Sequence, residues 1–165
     1  MILLRQQSFS TEAKIDSRNY LPLYKDEKGY RWRKENDPLY TEEDETRPKN
    51  AKKPDITSSN GIDLVLSKKA YRNFKKDLDK NKFRKEKIDG KTYYVADDLV
   101  VDPEDIDEEK SDIKRFKDGR IMRVSNPVLK SDKSIYRSPG AGHFVNDKFK
   151  DRYNKKKLSG LRFKD

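Results

Sequence analysis

Apolar residues are scarce in this chain and thinly spread, which leaves little from which to build a core. Charged side chains make up 42% of the 165 residues and hydrophobic ones 32%, whereas an ordinary soluble domain is about one quarter charged. Stability from burial scales with the apolar area taken out of water, and small domains bury the least. Low hydrophobicity with high charge belongs to chains that stay open or fold on a partner. The 10% aromatic content argues against plain disorder, because Tyr, Phe and Trp supply large contact areas. The balance predicts a small folded centre carrying extended arms.

Charge divides the chain into blocks. Residues 1–61 carry 12 basic and 11 acidic side chains, residues 62–96 carry 11 and 5, residues 97–109 carry 0 and 8, and residues 110–165 carry 17 and 6. The net surplus of +10 therefore lies in the second half, interrupted by one acidic patch. Residues 1–15 read as a docking peptide, with Ile2, Leu3, Leu4, Arg5 and Phe9 able to add to a partner's groove or sheet edge. The other reading is that they fold back over the protein's own centre. Residues 16–60 lack sustained periodicity and are broken by Pro22, Pro38, Pro48 and Pro54. They read as an extended arm with aromatic anchors, Trp32 foremost. Residues 126–165 read as a basic C-terminal arm, with one short helix over 147–157 that presents Phe149 and Tyr153.

The centre, residues 61–125, has clearer signals. Ser67 is the expected N-cap of a helix running to about Lys80, with Ala70, Tyr71, Phe74 and Leu78 on one face. RKEKI and KTYYV flank Asp89-Gly90, which suits a type I′ hairpin turn. IKRF and RIMRV repeat the arrangement around Asp118-Gly119. The predicted fold class is α+β: one helix and two β-hairpins, with long irregular arms. The expected core is Leu64, Leu66, Phe74, Leu78, Ile88, Tyr94, Val101, Phe116, Ile121 and Val124.

The chemistry on offer is narrow. There is no cysteine, so disulfides, thiolate metal sites and Cys nucleophiles drop out together. His143 is the sole histidine, set among glycines that signal a turn, and it reads as a packing or hydrogen-bonding residue without a catalytic role. The acidic run from Asp97 to Glu109 does not fit an EF-hand loop. From Asp97 or Asp98 the sixth position, where a glycine is required, is Asp102 or Pro103. A solvated face or a basic partner suits that run better than a metal. No P-loop, dinucleotide fingerprint, zinc-finger spacing or RNP-type motif occurs. The sequence thus predicts no catalytic residue, metal, cofactor or small-molecule substrate, and no stretch long and apolar enough to span a membrane.

Basic residues interleaved with aromatics are the strongest remaining signal. KKAYRNFKK places Lys68, Lys69, Arg72, Lys75 and Lys76 beside Tyr71 and Phe74. KFKDRYNKKK places Lys148, Lys150, Arg152, Lys155, Lys156 and Lys157 beside Phe149 and Tyr153. Such segments suit either nonspecific nucleic-acid contact or an acidic protein surface.

The opening MILLRQQSFS resembles the starts of small uncharacterised bacteriophage and prophage proteins. The likeness covers ten residues and implies a virion accessory protein whose Ile2, Leu3, Leu4, Arg5 and Phe9 dock on a larger capsid, neck or tail protein. The expectation is a non-enzymatic structural or adaptor subunit of a large assembly, foremost a bacteriophage virion assembled in the host cytoplasm, with other structural proteins as partners. The alternative is an extended RNA-contacting ribosomal protein. The Arg, Ser and Phe content of the N-terminus also resembles a mitochondrial presequence, which would give a mitochondrial location. Glu12 and Asp16 come early for that, so a retained N-terminus is expected.

Overall fold

The computed structural model describes residues 8–33 and 51–164. They form a mixed α+β fold made mostly of strands, with two α-helices and several small sheets. In chain order, β1 (Ser8–Phe9) and β2 (Thr11–Ile15) are followed by the hairpin β3 (Leu23–Asp26) and β4 (Gly29–Trp32). Next come β5 (Ile56–Thr57), β6 (Leu64–Ser67), helix α1 (Lys68–Phe74), and the hairpin β7 (Arg84–Ile88) and β8 (Lys91–Ala96). A further hairpin, β9 (Asp112–Arg115) and β10 (Ile121–Ser125), leads to β11 (Val128–Leu129), β12 (Ile135–Arg137) and β13 (His143–Val145). Helix α2 (Asp147–Lys155) and β14 (Leu161–Phe163) complete the described chain.

Two four-stranded antiparallel sheets organise these elements, one ordered β5-β6-β8-β7 and the other β12-β13-β2-β14. The β6–β8 pair of the first sheet and the β12–β13 pair of the second are covered on both faces, and the period-two alternation of strand side chains assigns residues to each side. In the first sheet Leu64, Leu66 and Ala96 face a main core, while Val65, Tyr93 and Val95 face a second. That is why LVL and YYVA are continuous apolar runs without polar alternation. In the second sheet Ile135 and Val145 face the main core, whereas Tyr136 and Phe144 face a third. The main core thus lies between the two sheets together with both helices, which meet where Phe74 stacks on Phe149 at 4.1 Å.

Local chemistry accounts for several elements. Ser67 Oγ accepts from the Ala70 N–H at 3.1 Å and caps α1, and Asn146 does the same for α2 through the Phe149 N–H at 2.9 Å. Asp89 and Gly90 both have positive φ, 50° and 78°, as the two-residue β7–β8 turn requires. At the β9–β10 turn only Gly119 is left-handed, at φ 89°. The loop is longer there because a three-residue turn ends on a glycine bulge.

The arms are where the structure departs from the sequence reading. Residues 126–164 are not an irregular arm: they supply β11 to β14 and α2, and Val145, Phe149, Tyr153, Leu158 and Leu161 belong to the main core. Their strands have two or three residues each, too short to show a period in sequence. Within the expected N-terminal arm, β3 and β4 form a hairpin that packs Leu23, Tyr30 and Trp32 on the far face of the first sheet. Residues 8–15 pair inside the chain as well. Phe9 lies opposite Val128, and β2 is a central strand between β13 and β14. Ile2, Leu3, Leu4 and Arg5 lie outside the described residues. Helix α1 ends at Phe74, short of Lys80, and Leu78 reaches the main core from the turn that follows. Phe116, expected in the core, is 44% exposed.

One junction ties the two sheets together. Asp55 Oδ1 accepts from Ser67 Oγ at 2.8 Å, and Oδ2 accepts from the Ser159 N–H and hydroxyl, both at 3.1 Å. The Ile56 N–H donates to the Ser159 carbonyl at 3.0 Å, and the Asp16 N–H to the Gly160 carbonyl at 2.7 Å. Gly160 sits at φ 111°, and a Cβ there would lie 2.0 Å from the Ile56 carbonyl oxygen. Both its backbone angle and its contact exclude a side chain. Gly160→Ala is therefore expected to destabilise the fold by about 3 kcal/mol or more, lowering the melting temperature by about 6–12 °C. Gly142→Ala, whose Cβ would meet nothing closer than Glu12 Oε1 at 3.9 Å, should change it by far less. Thermal unfolding followed by circular dichroism checks both.

Candidate functional site

Part of the acidic run is spent inside the fold, three of its carboxylates on arginines. Asp97 pairs with Arg84 at 2.7 Å and Glu108 with Arg115 at 2.7 Å. Asp98 receives both Nε and Nη2 of Arg137, at 2.8 and 2.9 Å. That two-pronged pair holds the Asp98 carboxyl below its usual range, as charge-assisted bonds to the ionised form do. Asp102 and Asp107 cap turns through the Glu104 and Glu109 N–H groups. Asp105 accepts from the Ser131 N–H at 2.9 Å and from its hydroxyl. Planar guanidinium forks suit carboxylates better than ammonium groups do. Most of the lysines make no ion pair among the described residues.

Several of those lysines converge on one open cleft of about 400 Å³. Lys53, Pro54 and Asp55 form one wall, Ser67, Lys68 and Lys69 a second, and Lys87 with the Gly90–Tyr93 segment a third. The β7–β8 turn positions Lys87 and Lys91, and the first turn of α1 carries Lys68 and Lys69. Lys53 pairs with Asp89 at 3.3 Å. The other four lysines make no ion pair among the described residues. Asp55 lends the cleft one negative charge, with its two oxygens hydrogen-bonded to Ser67 and Ser159 and not ion-paired to a lysine. Tyr93 is buried beneath, and burial followed by the nearby charges of Asp55 and Asp89 raises its phenol pKa. Ammonium groups that outnumber the carboxylates beside them repel one another, and an anion in their midst relieves that repulsion. Five lysines beside Asp55 and Asp89 leave the cleft with a surplus of positive charge.

The expected contact residues fall into three groups. Lys68 and Lys69 line the cleft, whereas Arg72, Lys75 and Lys76 are exposed on or just after α1. Arg152 is engaged internally: it donates to the Asn73 carbonyl at 2.9 Å and to Asp77 at 2.7 Å, fastening α2 to the end of α1. Lys150 lies over the Phe163 ring at 5.7 Å and Lys148 reaches Asp132 at 3.5 Å. Lys155, Lys156 and Lys157 are exposed at the end of α2. Trp32 is no partner anchor: it is 3% exposed and meets Tyr93 edge-on at 5.7 Å, because its hairpin folds onto the first sheet. Sequence reasoning missed Lys53, Lys87 and Lys91. Only the proximity of Lys87 and Lys91 to the Asp89-Gly90 turn could have signalled two of them, and nothing local links Lys53 to either.

No group of three or more His, Asp or Glu side chains among the described residues is placed to hold a metal ion, and no helix among them is long and apolar enough to cross a membrane. No protein-family model matches the chain, and no curated protein sequence matches it closely enough to be a relative.

His143 is not in a loop: it opens β13, opposite Arg137, and is 4% exposed. Its Nε2 finds no hydrogen-bond partner among the described residues. Burial and then the Arg137 charge push its pKa down to about 4, against smaller opposing effects of Asp63 and Asp98. The neutral imidazole is thus the folded form. An unfolded chain binds the proton near pH 6.5, so this contribution to stability is complete above that value and is lost as pH falls towards 4. The loss amounts to about 3 kcal/mol. Urea unfolding between pH 7 and pH 4 should show this slope, and His143→Leu should flatten it in that window.

Proposed function

We propose that this protein is a non-enzymatic structural or adaptor subunit of a large assembly, and that the lysine-lined cleft is where it grips an anionic macromolecular partner. The observation that carries this reading is the cleft itself: four lysines without an ion pair around about 400 Å³, in a fold where Asp97, Asp98 and Glu108 of the acidic run are paired with arginines. A bacteriophage virion is the assembly we propose, supported by the likeness of the opening peptide to phage proteins. Packaged nucleic acid or an acidic neighbouring subunit supplies the counter-charge there. Lysine ammonium groups act as mobile point charges that follow a phosphate or carboxylate surface without demanding one geometry. Binding of this kind is tolerant of sequence and sensitive to salt.

The triple variant Lys68→Gln, Lys87→Gln, Lys91→Gln tests the cleft. The native protein should retain unrelated DNA and RNA sequences on filters with similar affinity, and the affinity should fall steeply as salt rises. The variant should keep its melting temperature and flatten the plot of log affinity against log salt by about 2–3, near one per lost phosphate contact. Native binding that ignores salt, or a variant with an unaltered slope, would remove the cleft from the interface.

A further inference from the structure

Phe116 is the only aromatic among the large exposed apolar side chains of the described residues. It stands at the turn end of the β9–β10 hairpin, a two-stranded sheet whose residues from Lys114 to Gly119 are all exposed. An unsupported two-stranded hairpin is marginal in water, yet this one is firmly based. Val124 is fully buried, its N–H donates to the Pro139 carbonyl at 2.8 Å, and its carbonyl accepts from Ser138 Oγ at 2.8 Å. Gly140 lies so close to the Met122–Arg123 backbone that a Cβ would fall 2.2 Å from the Met122 carbonyl oxygen.

The turn is also braced. Asp118 accepts from the Arg120 N–H at 3.0 Å and from its Nε at 2.6 Å. Arg115 donates to the Gly119 carbonyl at 2.8 Å and to Glu108 at 2.7 Å. The Arg120 guanidinium lies over the Phe116 ring, 5.3 Å from its centre. The carboxylates near the turn are therefore occupied, while Lys114, Lys117 and Arg123 have no ion pair among the described residues. A held aromatic ring flanked by unpaired cations matches a ligand that combines flat apolar faces with regularly spaced negative charge.

We infer that the β9–β10 hairpin is a contact for single-stranded nucleic acid, with Phe116 stacking on an unpaired base and Lys114, Lys117 and Arg123 meeting the adjoining phosphates. Stacking on an aromatic side chain tolerates any base, and the ring needs that base freed from a duplex. A duplex contact or an acidic protein surface would use the cations and leave the ring idle. This contact involves none of the residues that line the lysine cleft, and it stands on its own observations.

Fluorescence anisotropy with labelled single-stranded oligonucleotides of unrelated sequence, and with a duplex of equal length, tests it on the full chain. Phe116→Ala should weaken single-strand binding about 5- to 100-fold without changing its salt slope. Phe116→Trp should restore it, and duplex binding should move less than twofold in either variant. The combined Lys114→Gln, Lys117→Gln, Arg123→Gln variant should flatten the single-strand salt slope by about 2. All these side chains are exposed, so unchanged melting temperatures are expected and would show that folding is intact. Single-strand binding unaffected by Phe116→Ala, or single-strand and duplex binding weakened equally, would overturn the stacking contact. The cleft variant separates the two readings. If it weakens binding while the hairpin variants do not, the hairpin inference alone fails; if hairpin variants weaken single-strand binding and the cleft variant does not, the cleft reading alone fails.

Discussion

The carboxylate of Asp55 holds together elements from opposite ends of the chain. Through Ser67 it ties the start of α1 to β5, and through Ser159 it ties both to the segment entering β14, 104 residues further on. Gly160 completes the junction by bringing backbone against backbone at Ile56 and accepting from Asp16. These hydrogen bonds occur where two sheets and two helices converge, so the main core closes only when the junction is made. A chain with this much charge has little spare apolar area to compensate if the sheets part.

The same scarcity explains why a pair of strands in each sheet is buried on two faces. A sheet exposed on one side draws on apolar residues at every second position only, and leaves the other face polar. Here Leu64, Val65 and Leu66 all count, as do Ile135, Tyr136, Phe144 and Val145. Three cores are served by a modest number of side chains because β6, β8, β12 and β13 each contribute to two of them. Polar residues are correspondingly displaced to turns, helix backs and hairpin ends. Those are the places where lysine collects at the cleft and where Phe116 stands exposed.

Arginine and lysine divide the electrostatic work. Arg84, Arg115 and Arg137 pair with Asp97, Glu108 and Asp98 of the acidic run, and Arg152 fastens the two helices. Most of these are surface or half-buried pairs, each contributing modestly to stability. Their further effect is to take up three of the clustered carboxylates, while most lysines keep no ion pair among the described residues. The net charge of the protein thus becomes a local property of particular surfaces.

Signals carried by neighbouring residues were legible in the sequence: the Ser67 cap, the left-handed Asp89-Gly90 turn, the short helix presenting Phe149 and Tyr153, and most of the central core. Each depends on contacts within a few residues, where backbone preference and side-chain spacing act directly. Pairings over long distances were not legible. Strands of two or three residues carry no period, so β11 to β14 looked like an arm, and Trp32 looked like an anchor for a partner when its partner was Tyr93. The cleft shares this character, since Lys68 and Lys69 stood out in a basic run while Lys53, Lys87 and Lys91 join them only after the sheet has formed. The sequence by itself determined the α+β class, the Ser67 cap, the Asp89-Gly90 turn and the excess of positive charge. The tertiary structure decided which carboxylates meet arginine, which lysines share a cleft and which aromatics see water, because those outcomes depend on chain segments that only sheet pairing brings together.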